Sequence, residues 1–165
     1  MWNVSCHGRA VSYGVAMTAL LFLAGCATSS TESSKAPEDP RTCAVAPADE
    51  PLVGNWLSVR KQAGVAGELH TLFSLNADGT MGYVVQLKRA RKPSQGLSES
   101  GCWSREGNEL VLHTLKSNGE EVDPRDPIYV NRYVIVSQQA SGIVLQHQGV
   151  RTQARRMPPD YRLVW

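Results

Sequence analysis

From residue 52 onward, apolar and polar residues alternate with a period of two, which is the pattern of strands that bury one face. In the run of residues 68–75 the odd positions hold Leu, Thr, Phe and Leu, whereas most even positions are polar. A second alternating run, residues 81–87, follows the turn sequence Asn76-Ala77-Asp78-Gly79. Because Gly adopts positive φ without strain, this Asp-Gly pair favours a tight turn. The two runs therefore predict a β-hairpin.

The same succession of strand and turn continues through the rest of the globular part. A second hairpin is predicted where Cys102 and Trp103 lead through the turn of residues 105–108 into residues 110–113. Further runs cover residues 56–60, 129–136, 143–145 and 150–156, and no helical period of comparable length competes. Even spacing of short strands favours a meander, and closing it removes exposed strand edges. The predicted fold is all-β, a small antiparallel meander barrel of about eight strands.

The N-terminal residues have the pattern of a secretory leader. An uncharged apolar stretch, residues 15–24, follows the single basic residue Arg9. The stretch is too short for a membrane-spanning helix, which needs about 20 apolar residues. Its end, Leu23-Ala24-Gly25-Cys26, resembles the lipobox of bacterial lipoproteins. The resemblance implies that residues 1–25 are a lipoprotein signal peptide and that Cys26 carries a diacylglyceryl group and an N-acyl chain such as palmitate. An ordinary leader that happens to contain a Cys is the alternative.

The predicted lipid anchor also predicts a location. Two or more acyl chains hold a protein stably on a membrane. In lipoproteins an Asp directly after the lipidated Cys often marks retention in the inner membrane, and here Ala27 holds that position. We therefore expect attachment through Cys26 to the periplasmic face of the cell outer membrane. The whole chain carries a formal charge of +2, which argues against a nucleic-acid partner.

Composition divides the chain into three parts. Residues 27–50 are rich in Ser, Thr, Pro, Asp and Glu and hold almost no large apolar residue, so they cannot bury a core. The predicted organisation is a signal peptide at residues 1–25, a lipidated Cys and flexible tether at residues 26–50, and one barrel domain at residues 51–165. A second domain is not expected in a chain of 165 residues.

Two cysteines remain in the mature protein once Cys6 leaves with the leader and Cys26 is acylated. They are Cys43 and Cys102. Two thiols in an oxidising periplasm predict one disulfide. Zinc binding is not expected, because a structural zinc ion takes four ligands and no Cys-x-x-Cys spacing is present.

Several short motifs, in their order along the chain, resemble the lipocalin-like (calycin) group of small bacterial barrels. They are Gly54-Asn55-Trp56, the hairpin of residues 76–80, Gly101-Cys102-Trp103, Gly107-Asn108-Glu109-Leu110 and Arg155-Arg156. The resemblance covers about residues 52–158. It implies that the Gly54 and Trp56 pair closes the base of the barrel, and that Arg155 or Arg156 stacks on the Trp56 ring as a cation-π partner. These roles are structural.

No group of residues in the sequence predicts catalysis. The chain has no nucleophile elbow and no phosphate-binding loop, and His70, His113 and His147 each stand alone on a predicted strand. We therefore expect no enzymatic activity, no catalytic residue, no metal and no cofactor.

A basic cluster, residues 88–92, together with Arg151, Arg155 and Arg156, either contacts anionic headgroups or an acidic partner, or forms a solvated rim.

Two functions are compatible with this pattern. The first is a barrel that binds a small apolar or amphipathic ligand. The second is a protein-binding envelope factor, such as a periplasmic protease or lysozyme inhibitor or an assembly factor. Inhibitors of this shape act through a short N-terminal arm. An interior filled by residues such as Trp56, Phe73, Tyr83 and Leu112, without a pocket near 300 Å³, would argue against a ligand carrier.

Overall fold

The computed structural model describes residues 41–164. The predicted signal peptide, the lipidation site Cys26 and residues 27–40 of the predicted tether lie outside the described residues. No helix within the described range is long and apolar enough to cross a membrane.

The described residues form an almost purely β structure. A single 3-10 turn, Pro127–Tyr129, is the helical element of the described range. The strands are β1 Gly54–Arg60, β2 Glu68–Leu75, β3 Thr80–Lys88, β4 Gln95–Glu106, β5 Glu109–Ser117, β6 Glu120–Glu121, β7 Val130–Gln139, β8 Gly142–His147 and β9 Val150–Met157.

Eight of these strands close into one antiparallel barrel. The order around the barrel is β4-β3-β2-β1-β9-β8-β7-β5, and β4 also pairs with β5, which completes the circle. The two-residue strand β6 is an addition that pairs only with the end of β5. The prediction of an all-β meander barrel of about eight strands is confirmed. The small strand β6 and the 3-10 turn were not predicted.

The barrel has two different ends. One end, here called the base, holds the start of β1, the end of β9 and the short turns after β2, β4 and β7. The other end, here called the mouth, holds the longer connections of residues 61–67, 89–94 and 118–129 and the turn at residues 148–149. The long, polar loops therefore surround the mouth.

The apolar core fills the base half of the barrel. Trp56, Leu110 and Leu145 are fully buried, and Trp103 is 3% exposed. Leu52, just before β1, closes the base from below, and its carbonyl accepts a hydrogen bond of 2.7 Å from Trp56 Nε1. Burying each large apolar side chain contributes about 1.5–3 kcal/mol. This half of the interior stabilises the fold and leaves little room for a ligand.

An N-terminal arm, residues 43–50, lies against the outer wall at β4. Cys43 and Cys102 form a disulfide with a Cα–Cα distance of 5.1 Å, which confirms the predicted pairing. The Ala46 amide donates to the Ala77 carbonyl at 2.9 Å. A Cβ on Gly79, whose φ is +82°, would collide with the Ala44 carbonyl. This part of the predicted tether is therefore attached to the barrel.

The C-terminal tail covers part of the opposite outer wall. Leu163 is 9% exposed and packs with Leu57 and Leu72 on the outside of β1 and β2. Asn55 Nδ2 donates to the carbonyls of Pro158 and Pro159 at 2.9 and 2.8 Å. The tail thus continues from β9 as a strap on the outer wall.

Candidate functional site

The base of the barrel is a closed structural unit. The guanidinium of Arg156 lies 4.0 Å from the centre of the Trp56 ring. The Gly54 backbone, with φ of +139°, passes so close to this guanidinium that a Cβ would collide with it. Arg155 is instead opposite Leu57 and lines a cleft of about 440 Å³ on the outer wall. Of the two candidate arginines, Arg156 occupies the position over Trp56.

The character of the interior changes between base and mouth. Trp56, Phe73 and Tyr83 are aligned on neighbouring strands and form one inward-facing level. Two residues nearer the mouth on these strands, the inward positions are Ser58, Thr71 and Val85. Large aromatic groups therefore give way to small and polar side chains. We call this upper part of the interior the cup.

Aromatic rings form the floor of the cup. The ring centres of Phe73 and Tyr83 are 5.1 Å apart, and those of Phe73 and Tyr133 are 5.5 Å apart. Burial raises the pKa of both phenols, Tyr83 and Tyr133, so both rings are neutral at pH 7.

A carboxyl group forms one side of the cup. Glu99 on β4 is opposite Tyr83 in the β3–β4 register and is partly buried. Thr114 Oγ1, itself almost fully buried, donates to Glu99 Oε2 at 3.3 Å. Among residues 41–164, no Lys or Arg lies within ion-pair distance of this carboxyl. Burial raises the pKa of Glu99, and the Thr114 hydrogen bond offsets part of that rise.

The opposite side of the cup carries His147 and Asn131. The His147 ring lies 4.9 Å from the Tyr133 ring, which shows that it faces the interior. Its Nδ1 is 2.8 Å from the Arg132 carbonyl and, because a carbonyl only accepts, carries the proton in this contact. Asn131 on β7 is opposite the inward-facing Leu112.

The three strand histidines do not come together. His70 lies on the outer face of β2, 3.6 Å from Glu68, and His113 is on the outer face of β5 opposite Cys102. Only His147 faces the interior. Within the described range, no group of three or more His, Cys, Asp or Glu side chains is arranged to hold a metal ion.

The two basic segments of the sequence lie at different ends. Residues 88–92 and Arg151 are at the mouth, whereas Arg155 and Arg156 are at the base. The mouth also carries an acidic side, because Glu120, Glu121 and Asp123 belong to the connection between β5 and β7. The mouth therefore carries charged groups of both signs, and the basic residues of the two segments do not form one surface.

The described residues form several clefts outside the barrel interior. One is the 440 Å³ cleft lined by Leu57, Val59 and Arg155. Another, of about 270 Å³, separates the N-terminal arm from β4 and is lined by Ala44 and Trp103. Trp56, Phe73 and Leu112 fill the base half of the interior, and the clefts of the described residues lie on the outer wall, at the base or between loops. By the criterion stated above, this argues against a carrier with a deep apolar cavity.

Sequence reasoning did not single out Glu99, Thr114 or Tyr133. A usable signal was present for Glu99, because it shares the inward alternation of Leu97 and Trp103 on β4. An acidic residue at an inward position of an alternating strand is unusual enough to mark a site. The partner residues come from other strands and carry no comparable local signal.

Comparisons with known proteins give limited information. No family model and no curated protein matches the chain. Among solved structures, the chain is similar to the crystal structure of a lipocalin-like protein from Bacteroides thetaiotaomicron VPI-5482. The identity is 21%, the match covers 65% of this chain and 97% of that chain, and the TM-score is 0.40. The barrel's own topology and its Gly54–Trp56–Arg156 base give this chain a lipocalin-like fold.

Proposed function

We propose that this chain is a lipoprotein of the bacterial outer membrane, anchored through Cys26 on the periplasmic face, whose barrel binds one small amphipathic molecule at the mouth. The observation that carries the ligand part is the division of the interior. The base half is filled by apolar side chains, and the cup above it is lined by small and polar ones.

The size of the barrel limits the ligand. An eight-stranded barrel is just wide enough to be filled by side chains or to hold one small molecule. Because Trp56, Phe73 and Leu112 occupy the base half, a ligand has only the upper half available. A long acyl chain would not fit along the barrel axis. The ligand is therefore small and enters between the mouth loops.

The lining of the cup defines the chemistry of the ligand. Rings of Phe73 and Tyr133 offer an apolar surface from below. Glu99, Asn131 and His147 offer hydrogen-bonding groups from the sides. A purely apolar molecule would leave these groups without partners, which costs free energy. An amphipathic molecule with a small apolar body satisfies both surfaces.

The length of the tether limits the distance between the barrel and the membrane. With Cys43 attached to the barrel, residues 27–42 connect the proposed anchor to it, and a random coil of that length would have a root-mean-square reach of about 22 Å. Such a reach would keep the barrel close to the headgroups. The lipobox residues Leu23 to Cys26 support the anchor.

A pair of cup variants tests the ligand site. Ser58→Leu adds bulk on the inward face of β1, and Val59→Leu adds bulk on the outward face one residue later. Two-dimensional NMR of the detergent-solubilised mature protein with a set of small amphipathic compounds should show shifts confined to cup residues. We expect Ser58→Leu to abolish them and Val59→Leu to preserve them. Shifts confined to the outer wall, or insensitive to Ser58→Leu, would contradict the proposal.

A protein partner is the second candidate, and the outer wall provides the observation in its favour. The 440 Å³ cleft lies there beside Val59, which is 46% exposed. The fixed position of residues 43–50 counts against an inhibitor whose N-terminal arm enters a protease cleft, because the disulfide holds that arm on β4. Capture of envelope proteins by wild type but not by Val59→Glu would favour this candidate.

A further inference from the structure

We infer that the cup selects ligands that carry a protonated amine, with Glu99 as the counter-charge. The inference rests on the proposed ligand-binding function and specifies the class of molecule bound. It follows from the position of Glu99, from its hydrogen bonding and from the rings around it.

Glu99 is placed where a ligand inside the barrel would meet it. Its neighbours in register are Tyr83 on β3 and Ser117 on β5, and its side chain turns inward, where it meets the almost fully buried Thr114. A carboxylate partly withdrawn from water loses solvation free energy, and a cation within about 4–6 Å restores the balance. The described residues hold no such cation in an ion pair with Glu99.

The hydrogen bonding of Glu99 leaves room for a ligand. Thr114 Oγ1 donates to Oε2, and among the described residues the other carboxyl oxygen, Oε1, accepts no hydrogen bond. A carboxylate has about four lone-pair positions, so several acceptor directions remain. An ammonium group has three N–H donors and no acceptor, which matches this demand better than a hydroxyl does.

The aromatic ring next to the Glu99 carboxyl also favours an ammonium group. Tyr83 is directly opposite Glu99 in the β3–β4 register, and its ring centre is 5.1 Å from that of Phe73. A cation within about 6 Å of such a ring face gains about 0.5–2 kcal/mol from the ring quadrupole.

The cations of the mouth are alternative partners for a ligand. Arg60 faces inward at the end of β1; burial raises the pKa of Tyr83 and the charge of Arg60 offsets part of that rise, so Arg60 acts on the same part of the interior as Glu99. Residues 88–92 lie at the end of β3 and in the loop after it. An anionic ligand bound to Arg60 is the competing outcome, and the experiment below includes it.

Three matched probes measure the charge preference. They are 2-phenylethylamine, 2-phenylethanol and phenylacetate, which share an aromatic body and differ in charge. Titration of the detergent-solubilised mature protein, followed by calorimetry and NMR, should give a dissociation constant for the amine about tenfold lower than for the alcohol. Phenylacetate should bind more weakly than the alcohol.

Two variants test whether the preference for an amine depends on Glu99. Glu99→Gln keeps the size and the Thr114 hydrogen bond, so amine affinity should fall to the level of the alcohol while alcohol affinity stays unchanged. Glu120→Gln removes an exposed carboxyl at the mouth and should leave all three affinities unchanged. Circular dichroism of both variants confirms that the barrel is folded.

The outcomes separate the two proposals. Equal binding of the three probes, tighter binding of phenylacetate, or unchanged amine affinity in Glu99→Gln would overturn the amine preference while the cup remains a ligand site. Failure of all three probes to shift any cup resonance at millimolar concentration would count against both proposals.

Discussion

The guanidinium of Arg156 lies 4.0 Å from the centre of the Trp56 ring and donates to three backbone carbonyls at the base. The acceptors are Ala140, Val53 and Pro51, at 2.7, 2.8 and 2.8 Å. One side chain thus connects the start of β1, the end of β9 and the turn between β7 and β8. The contact seals the filled half of the barrel and defines the mouth as the open end.

Replacing Arg156 should destabilise the barrel selectively. Arg156→Met removes the cation-π contact and all three hydrogen bonds, so we expect the free energy of unfolding to fall by about 2–3 kcal/mol. Arg155→Met is the matched control, because Arg155 is exposed on the outer wall, and it should change stability by less than about 0.5 kcal/mol. Urea denaturation measures both. Equal losses in the two variants would show that Arg156 has no special role.

Removing the disulfide should release the N-terminal arm. Cys102→Ser opens a loop with a sequence separation of 59 residues, which corresponds to about 4 kcal/mol in the chain-entropy view. The double variant Cys43→Ser/Cys102→Ser should lose no more than either single variant, because the bond is already absent. Thiol titration of non-reduced mature protein should find both cysteines blocked. Two reactive thiols in the denatured, non-reduced protein would contradict the pairing.

Glu99 should make stability depend on pH in a defined direction. Burial raises the pKa of this carboxyl above its ordinary value of 4.5, so the folded state holds the proton more tightly than the unfolded state. The Glu99 contribution to the free energy of unfolding therefore falls as pH rises from 4.5 through the folded-state pKa. Glu99→Gln removes this loss and should be more stable than wild type at pH 7, with the difference shrinking towards pH 4.5.

Thermal denaturation at several pH values measures this dependence. The variant should have a higher melting temperature than wild type at neutral pH. Glu120→Gln serves as the control, since Glu120 is exposed at the mouth, and its melting curve should follow wild type at every pH. A Glu99→Gln variant that is less stable at neutral pH, with no trend on acidification, would show that a charged partner stabilises the carboxylate in the folded protein and would contradict the prediction.

The lipid anchor is tested by a single substitution. Cys26→Ser removes the thiol that must be acylated before the lipoprotein peptidase cuts, so labelled palmitate should vanish from the protein and the uncut precursor should accumulate. Ala27→Asp is a companion variant for the location, and it should move the lipoprotein from the outer to the inner membrane. Normal processing of Cys26→Ser would refute the anchor.

The local sequence pattern was sufficient to predict most of the fold. Alternation with a period of two predicted the strands because each strand buries one face, and the Asp78-Gly79 pair predicted its turn because a tight hairpin needs positive φ. The disulfide was predicted from the count of thiols together with the expected periplasmic location, and it is present between Cys43 and Cys102. These features depend on near neighbours or on composition, both of which the chain displays directly.

Barrel closure and strand register determine the contacts between side chains on different strands, which the sequence pattern did not predict. Register places Arg156 opposite Trp56 and Arg155 opposite Leu57, so only one of two adjacent arginines can reach the ring. The same register brings Glu99, Tyr83 and Thr114, from three strands, around one cup. A slip of one residue in any strand would turn these side chains to the outside. Such neighbours are set by which strands pair and at what offset, and that is a property of the closed barrel as a whole.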